Sequence, residues 1–395
     1  MQMTLTQTLV IGLLQIVAVL GFVMTLVPLL TFAERKVIGY IQVRLGATRI
    51  AGGHVGLTGP LNRGMWALGK VPVFSILRGL PIAIADAVKL IMKEDIVPTK
   101  ADKFVFVISP AISMVAAFIV FAAVCFSPVV LFHFPASWPL IGGLPFSGTI
   151  SDINVGLLFI LGFASVGVYG IVLGAWASNS KYPLLGGLRS AAQIVSYEVP
   201  LTLSLLAPVV LSGSLNFREM SVKLATGLGP VGIIASFFGF WVYLTCAFAE
   251  TNRVPFDLAE AETELVAGFH TEYTGMKFGW YYLAEYANMI VASAVASAFF
   301  LGGHYLLPFG FQGLYNSYVL THLPAFLQWT GGPSILFFIG KMLAILFLFL
   351  WVRATLPRYR YDQLMHVGWK CLIPVSLVNL GIAALPGIIR ILGRG

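Results

Sequence analysis

Eight stretches of the chain stay apolar for about as long as a lipid bilayer is thick, and no other feature narrows its fold so much. They cover about residues 8–32, 104–131, 155–177, 191–212, 228–249, 280–302, 333–352 and 371–389. Each approaches or exceeds the roughly 20 mostly apolar residues that a transmembrane helix needs. Lipid offers the backbone no hydrogen-bond partner, so segments of this kind cross as helices. The expected fold is an all-α polytopic membrane protein with about eight transmembrane helices, residues 1–395 forming a single integral membrane domain. A mean hydropathy of +0.90 with 58% hydrophobic residues lies outside the soluble globular range and agrees.

The loops then set the orientation. The first apolar run has no Lys or Arg before it, is longer than a signal-peptide core and is followed by Arg35 and Lys36, so it is expected to remain as a span. Lys and Arg number eleven in 33–103, two in 178–190, two in 250–279 and four in 353–370, nineteen on one side, against four (Arg218, Lys223, Arg390, Arg394) on the other. By the positive-inside rule the nineteen face the cytoplasm and both termini lie outside. The net charge of +8 is largely this topological signal, and no nucleic-acid binding is read into it. Cys125, Cys246 and Cys371 have no CxxC spacing, which argues against an iron–sulfur cluster or a structural zinc in this chain.

Two inside loops carry most of the chemistry-capable residues. In the long loop 33–103, the segment 79–98 places Asp86, Lys89 and Lys93 within an arc of roughly 60°, with Ile84, Val88 and Ile91 opposite. This predicts an amphipathic helix at the membrane surface; the wheel leaves open whether Asp86 has a ligand role or the helix merely lies in the interface. In the acidic loop 250–279 stand six of the sixteen carboxylates, Glu250, Asp257, Glu260, Glu262, Glu264 and Glu272, with Arg253 the one cation within their span. Asp257 and Glu260 have the spacing of a capping box at a helix start. That leaves the other four acids unexplained. Two carboxylates about 6 Å apart repel by roughly 3 kcal/mol at an effective dielectric near 20, so such a set titrates as a unit. A proton path has this pattern; a cation site held by oxygens is the other use.

Three charges fall inside apolar stretches: Glu198, Glu285 and Lys341. Such residues usually face a bundle interior or a wet cavity, although Glu285 and Lys341 could also snorkel toward the headgroups. Cations beside acids and aromatics recur at two span exits, Glu34, Arg35, Lys36 and Tyr40, with Arg44 following, and Arg353, Arg358 and Arg360 with Tyr359, Tyr361 and Asp362. They serve as topology signals, and they could also line a pocket for an amphipathic ligand with a polar head.

Five segments carry a family resemblance: AERKVIGYIQVRLG (33–46), IADAVKLIMKE (84–94), GGLRSAAQIVSYE (186–198), AETNRVPFDLAEAETELVAGFHTEYTGMKF (249–278) and RATLPRYRYDQLMHVGWK (353–370). Together they resemble the family of the membrane-embedded H subunits of bacterial respiratory complex I, the counterparts of mitochondrial NADH dehydrogenase subunit 1. The resemblance implies a subunit of a proton-pumping NADH:quinone oxidoreductase in the bacterial inner membrane. Quinone is then the substrate, and FMN and iron–sulfur clusters belong only to partner subunits. Glu34, Arg35, Arg44, Asp86, Tyr282 and Arg353 would line a quinone passage. Glu198, Glu250, Asp257, Glu260, Glu262, Glu264, Glu272 and Glu285 would form a proton path. No metal site is implied. The partners would be the peripheral quinone-site and iron–sulfur subunits, small membrane subunits, antiporter-like subunits and lipids. About two dozen extra residues separate Arg44 from the amphipathic segment, and Ala47 and Thr48 stand where the family has Pro and Asn. Two other readings are the membrane subunit of an energy-converting hydrogenase and a stand-alone ion transporter.

Overall fold

The apolar stretches are helices, and several run well past the apolar residues that betray them. A computed structural model describes residues 5–44, 46, 81–128, 130–134, 143–259, 262–312 and 332–392. In chain order the helices are α1 (Leu5–Ile41), α2 (Pro81–Met92), α3 (Lys103–Ile119, continued by a 3-10 turn Val120–Ala122), α4 (Gly156–Ala177), α5 (Lys181–Ser212), α6 (Phe217–Thr226), α7 (Pro230–Glu250), α8 (Glu262–Leu265), α9 (Gly275–Phe299), α10 (Ile335–Thr355), α11 (Tyr361–His366) and α12 (Ile373–Leu392). A π-helical segment, Val367–Leu372, joins the last two. Two short strands, β1 (Val130–His133) and β2 (Pro145–Ser147), pair antiparallel in the loop between α3 and α4.

Seven of these segments, α11 to α12 counting as one, are long and apolar enough to cross a membrane. The expected count is eight. The difference is α9, which has the length, 25 residues, but carries Tyr281, Tyr282, Glu285 and Tyr286 in its first half and Asn288 just beyond. It needs less apolar surface because α1, α3 and α10 pack around it, and most of its residues from Tyr286 to Phe299 are buried.

Capping chemistry marks several helix starts. Asp102 accepts from the backbone N–H groups of Phe104 and Val105 before α3, Asn216 from those of Arg218 and Glu219 before α6, and Ser334 from that of Leu336 before α10. Gly213, in the left-handed conformation at φ +65°, ends α5. The capping box expected of Asp257 and Glu260 falls on Glu260, outside the described residues; the Asp257 carboxylate itself takes Arg358 Nη2 at 3.0 Å.

Two helices correct the loop boundaries. The first continues to Ile41 and α5 begins at Lys181, so parts of the expected inside loops are helical. Apolar length cannot see these turns because they carry Glu34, Arg35, Lys36, Lys181 and Arg189. Glu198 is therefore near the middle of a 32-residue helix rather than close to its start. The amphipathic segment is helical over Pro81–Met92, mostly exposed or half-buried, with Asp86 facing α1. Small residues let the helices meet closely: a Cβ on Gly174 of α4 would lie 2.1 Å from the Tyr281 hydroxyl of α9.

Candidate functional site

Where α1, α9, α10 and the turn after α7 converge, the chain brings two carboxylates, two guanidinium groups and two tyrosines together, buried or half-buried. The spacing of YYLAEYA puts Tyr282, Glu285 and Tyr286 on one face of α9, three and four residues apart. The α1 extension brings Glu34 opposite them, and the last turn of α10 supplies Arg353. Arg253 comes from the turn that ends α7. That turn is fixed locally by Thr251 Oγ1 donating to Ala247 O (3.0 Å), by Asn252 in the left-handed region (φ +51°) and by Arg253 N donating to Phe248 O (3.2 Å).

Glu34 accepts from Arg253 Nη1 at 3.3 Å, from the Tyr286 hydroxyl at 2.6 Å and from Arg353. On its other edge Arg253 reaches Glu285 through Nε at 2.5 Å, and its guanidinium stacks over the Tyr286 ring at 4.5 Å. The Tyr282 and Tyr286 hydroxyls lie 3.0 Å apart. Two acids and two arginines cancel in formal charge, which is the condition for holding ions out of water. With only 5% of its side chain exposed, Arg253 is opposed by burial, but Glu285, Tyr286 and Glu34 outweigh this and raise its pKa above the ordinary arginine value.

Next to this cluster is a cavity of roughly 60 Å³ whose lining includes Glu250, Glu285, Asn288, His270, Tyr281 and Tyr282. Its size and polar groups suit a few water molecules. Glu250 also lies within electrostatic range of Glu198. The Glu198 carboxyl meets Ser165 Oγ, which is also 2.9 Å from Leu161 O. The set thus runs Arg353, Glu34, Arg253, Glu285, then across the cavity to Glu250 and on to Glu198.

The remaining candidate residues are spread around it. Arg35 and Asp86 pair at 2.8 Å, both partly exposed, and join α1 to α2. Arg44 is exposed and donates to the Gln42 side chain. Glu264 pairs with Arg189 at 2.6 Å, Asp257 pairs with Arg358, and Glu272 is half-buried. Glu260 and the side chain of Glu262 lie outside the described residues, as does the extra segment at 47–79. Among the described residues no group of three or more His, Cys, Asp or Glu converges as a metal site.

The structure therefore unites residues that the family resemblance implied for different tasks: Glu34, Tyr282 and Arg353 for a passage, Glu285 for a path. It adds Arg253, Tyr286 and Ser165, which sequence reasoning did not select. For Arg253 a signal existed, since it is the one cation within the span of six acids. Tyr286 could have been found from its four-residue spacing to Tyr282.

Residues 14–384 match the family model described as NADH dehydrogenase. The chain is 41% identical over 383 residues to the second NADH-quinone oxidoreductase H subunit of Geobacter metallireducens, covering 94% of both chains. It is 41% identical to the second H subunit of Koribacter versatilis, over 95% of this chain and 97% of that one, and 42% identical to the first H subunit of Geobacter sulfurreducens, over 94% and 93%. A helical membrane chain matched this fully along its length belongs to the NADH dehydrogenase family, among the H subunits of NADH-quinone oxidoreductase.

Proposed function

We propose that this chain is the membrane subunit of a proton-pumping NADH:quinone oxidoreductase, that it forms part of the quinone chamber, and that it couples quinone reduction to proton translocation through a chain of carboxylates. One observation carries the reading: Glu285 belongs both to the buried Glu34–Arg253–Arg353 cluster and to the lining of the cavity that Glu250 shares. A change of charge at the cluster, such as a quinone taking up electrons and protons nearby, would alter the field on Glu285 and hence the protonation of the acids beyond it.

In this reading Arg35, Arg44, Asp86 and Tyr282 flank the approach of the quinone, with Glu34 and Arg353 at its inner end. The acids of the 250–279 region lead from there toward Glu198. The chain supplies binding surface and titratable groups; electrons arrive from FMN and iron–sulfur clusters held by peripheral subunits. Antiporter-like and small membrane subunits adjoin it in the bacterial cytoplasmic membrane, with both termini on the outer side.

The test is to isolate the tagged chain with its partners from native membranes and measure inhibitor-sensitive NADH:quinone reduction and proton uptake into vesicles, for the native protein and for Glu250→Gln and Glu198→Gln. Loss of both activities in the neutral variants, with NADH oxidation by an artificial acceptor retained, is expected. Full reduction and pumping in both variants would remove the carboxylate chain from the mechanism, and recovery without any quinone reductase activity would remove the function.

A further inference from the structure

The turn that carries both Glu250 and Arg253 is held by a side chain with no charge. Gln193, in α5, is fully buried, and its Nε2 donates to Ala249 O at 2.7 Å and to Phe256 O at 2.7 Å, with Asn252 Oδ1 at 3.2 Å. These acceptors lie before, within and after the turn. A single nitrogen thus ties the two ends of the segment 249–256 together. Two of the three neighbours are backbone carbonyl oxygens, which sets the amide orientation: reversing it would put oxygen against oxygen at both. Gln193 Oε1 has no hydrogen-bond partner among the described residues. An amide kept in the core with one end unsatisfied is costly, and the return is at the other end.

On its far side the turn is tied to the segment after α10, by Tyr359 N donating to Pro255 O at 3.0 Å and by Arg358 to Asp257. The turn is thereby clamped between α5 and that segment. Glu250 is then directed to the cavity and Arg253 to Glu34 and Glu285. Gln193 also lies on the same helix as Glu198, five residues earlier, so one helix carries an acid of the path and the clamp that positions two further members.

We infer that Gln193 is a positioning residue for proton coupling, setting the separation between Glu250 and the Arg253–Glu285 pair through the backbone of the turn. This rests on the proposed function. The charged groups around it are Glu250, Arg253 and Asp257 on and beside the turn, with Glu198 and Arg189 on its own helix.

The informative variants are Gln193→Glu and Gln193→Leu, made in the native complex and compared with Glu250→Gln. The first keeps shape but, when ionised, offers no proton to Ala249 O or Phe256 O; when protonated it regains one donor. Quinone reduction should therefore fall about tenfold at pH 8, the loss of one to two hydrogen bonds in the positioned state, and recover several-fold relative to the native protein as pH is lowered to 6. NADH oxidation by an artificial acceptor should not change. The Leu variant should be low at all pH values. A native pH profile in an assembled Gln193→Glu complex, or failure of that variant to assemble at any pH, overturns the inference and leaves Gln193 with a folding role alone. Were Glu250→Gln also fully active, the proposed carboxylate chain would fall instead, so the two failures are distinguishable.

Discussion

The two ends of the bundle bury cations in opposite ways. At one end Arg253 and Arg353 are matched by Glu34 and Glu285. At the other, Lys341 of α10 points its ammonium at backbone carbonyls of Leu301, Gly303 and Tyr305, just beyond the last turn of α9. Beside it His304 is 1% exposed, stacks on Phe338 at 4.7 Å and lies 3.4 Å from Ser221 Oγ. Carbonyl oxygens hold a positive charge but accept no proton from it in this range of pH, whereas carboxylates do. The first arrangement pairs its cations with titratable groups; the second holds its cation on backbone carbonyls. Charge burial alone therefore does not mark a proton path.

The largest effect should come from unbalancing the matched end. Arg253→Met leaves Glu34 and Glu285 facing each other without their shared cation, a change worth about 3–5 kcal/mol for a buried pair. Thermal unfolding of the purified complex and quinone reduction should both report it. Near-native values in both would mean that the arginine is a spectator.

His304 tests the other end through pH. Burial pushes its imidazole down from the ordinary 6.5 to about 4. Between those values the unfolded chain binds more protons than the folded one, so stability rises with pH across this window. It is complete above about 6.5 and is lost as pH falls toward 4. The full window is worth up to about 3 kcal/mol. A His304→Asn variant should melt with a shallower slope over pH 4–6.5, and an unchanged slope would show that another group sets it.

Smaller again, Lys341→Met should cost about 1–3 kcal/mol by leaving carbonyls unpartnered, yet leave the pH profile of quinone reduction in place. A displaced profile would break the comparison, because it would bring the far end into proton transfer. The partly exposed Arg35–Asp86 pair should matter least for stability: Asp86→Asn is expected to shift unfolding by less than about 1 kcal/mol. Any larger loss of quinone reduction in that variant would then measure the approach to the chamber and not the fold.

The helices were legible because lipid leaves the backbone no alternative, and the face bearing Tyr282 and Glu285 follows from helical spacing. The cluster itself was not legible as a unit. Arg253 and Arg353 meet Glu34 across 219 and 319 residues of sequence, and no local pattern encodes such a distance. The same cause hid the extensions of α1 and α5, whose polar turns resemble loops until their partners are known. Gln193 gave no signal of its own, being one polar residue among Ser, Ala and Ile in a helix.

The length of α1 has a consequence for height. Its 37 residues rise about 1.5 Å each, roughly 55 Å end to end, and even at a tilt of about 40° the helix stands near 42 Å tall, against about 30 Å of hydrocarbon. Glu34 lies in its last quarter. If the protrusion is mostly at that end, the charge cluster stands above the oily layer, on a shelf built of protein. A lipid-soluble molecule would then reach it by climbing out of the bilayer along the helix, leaving its tail behind in the oil.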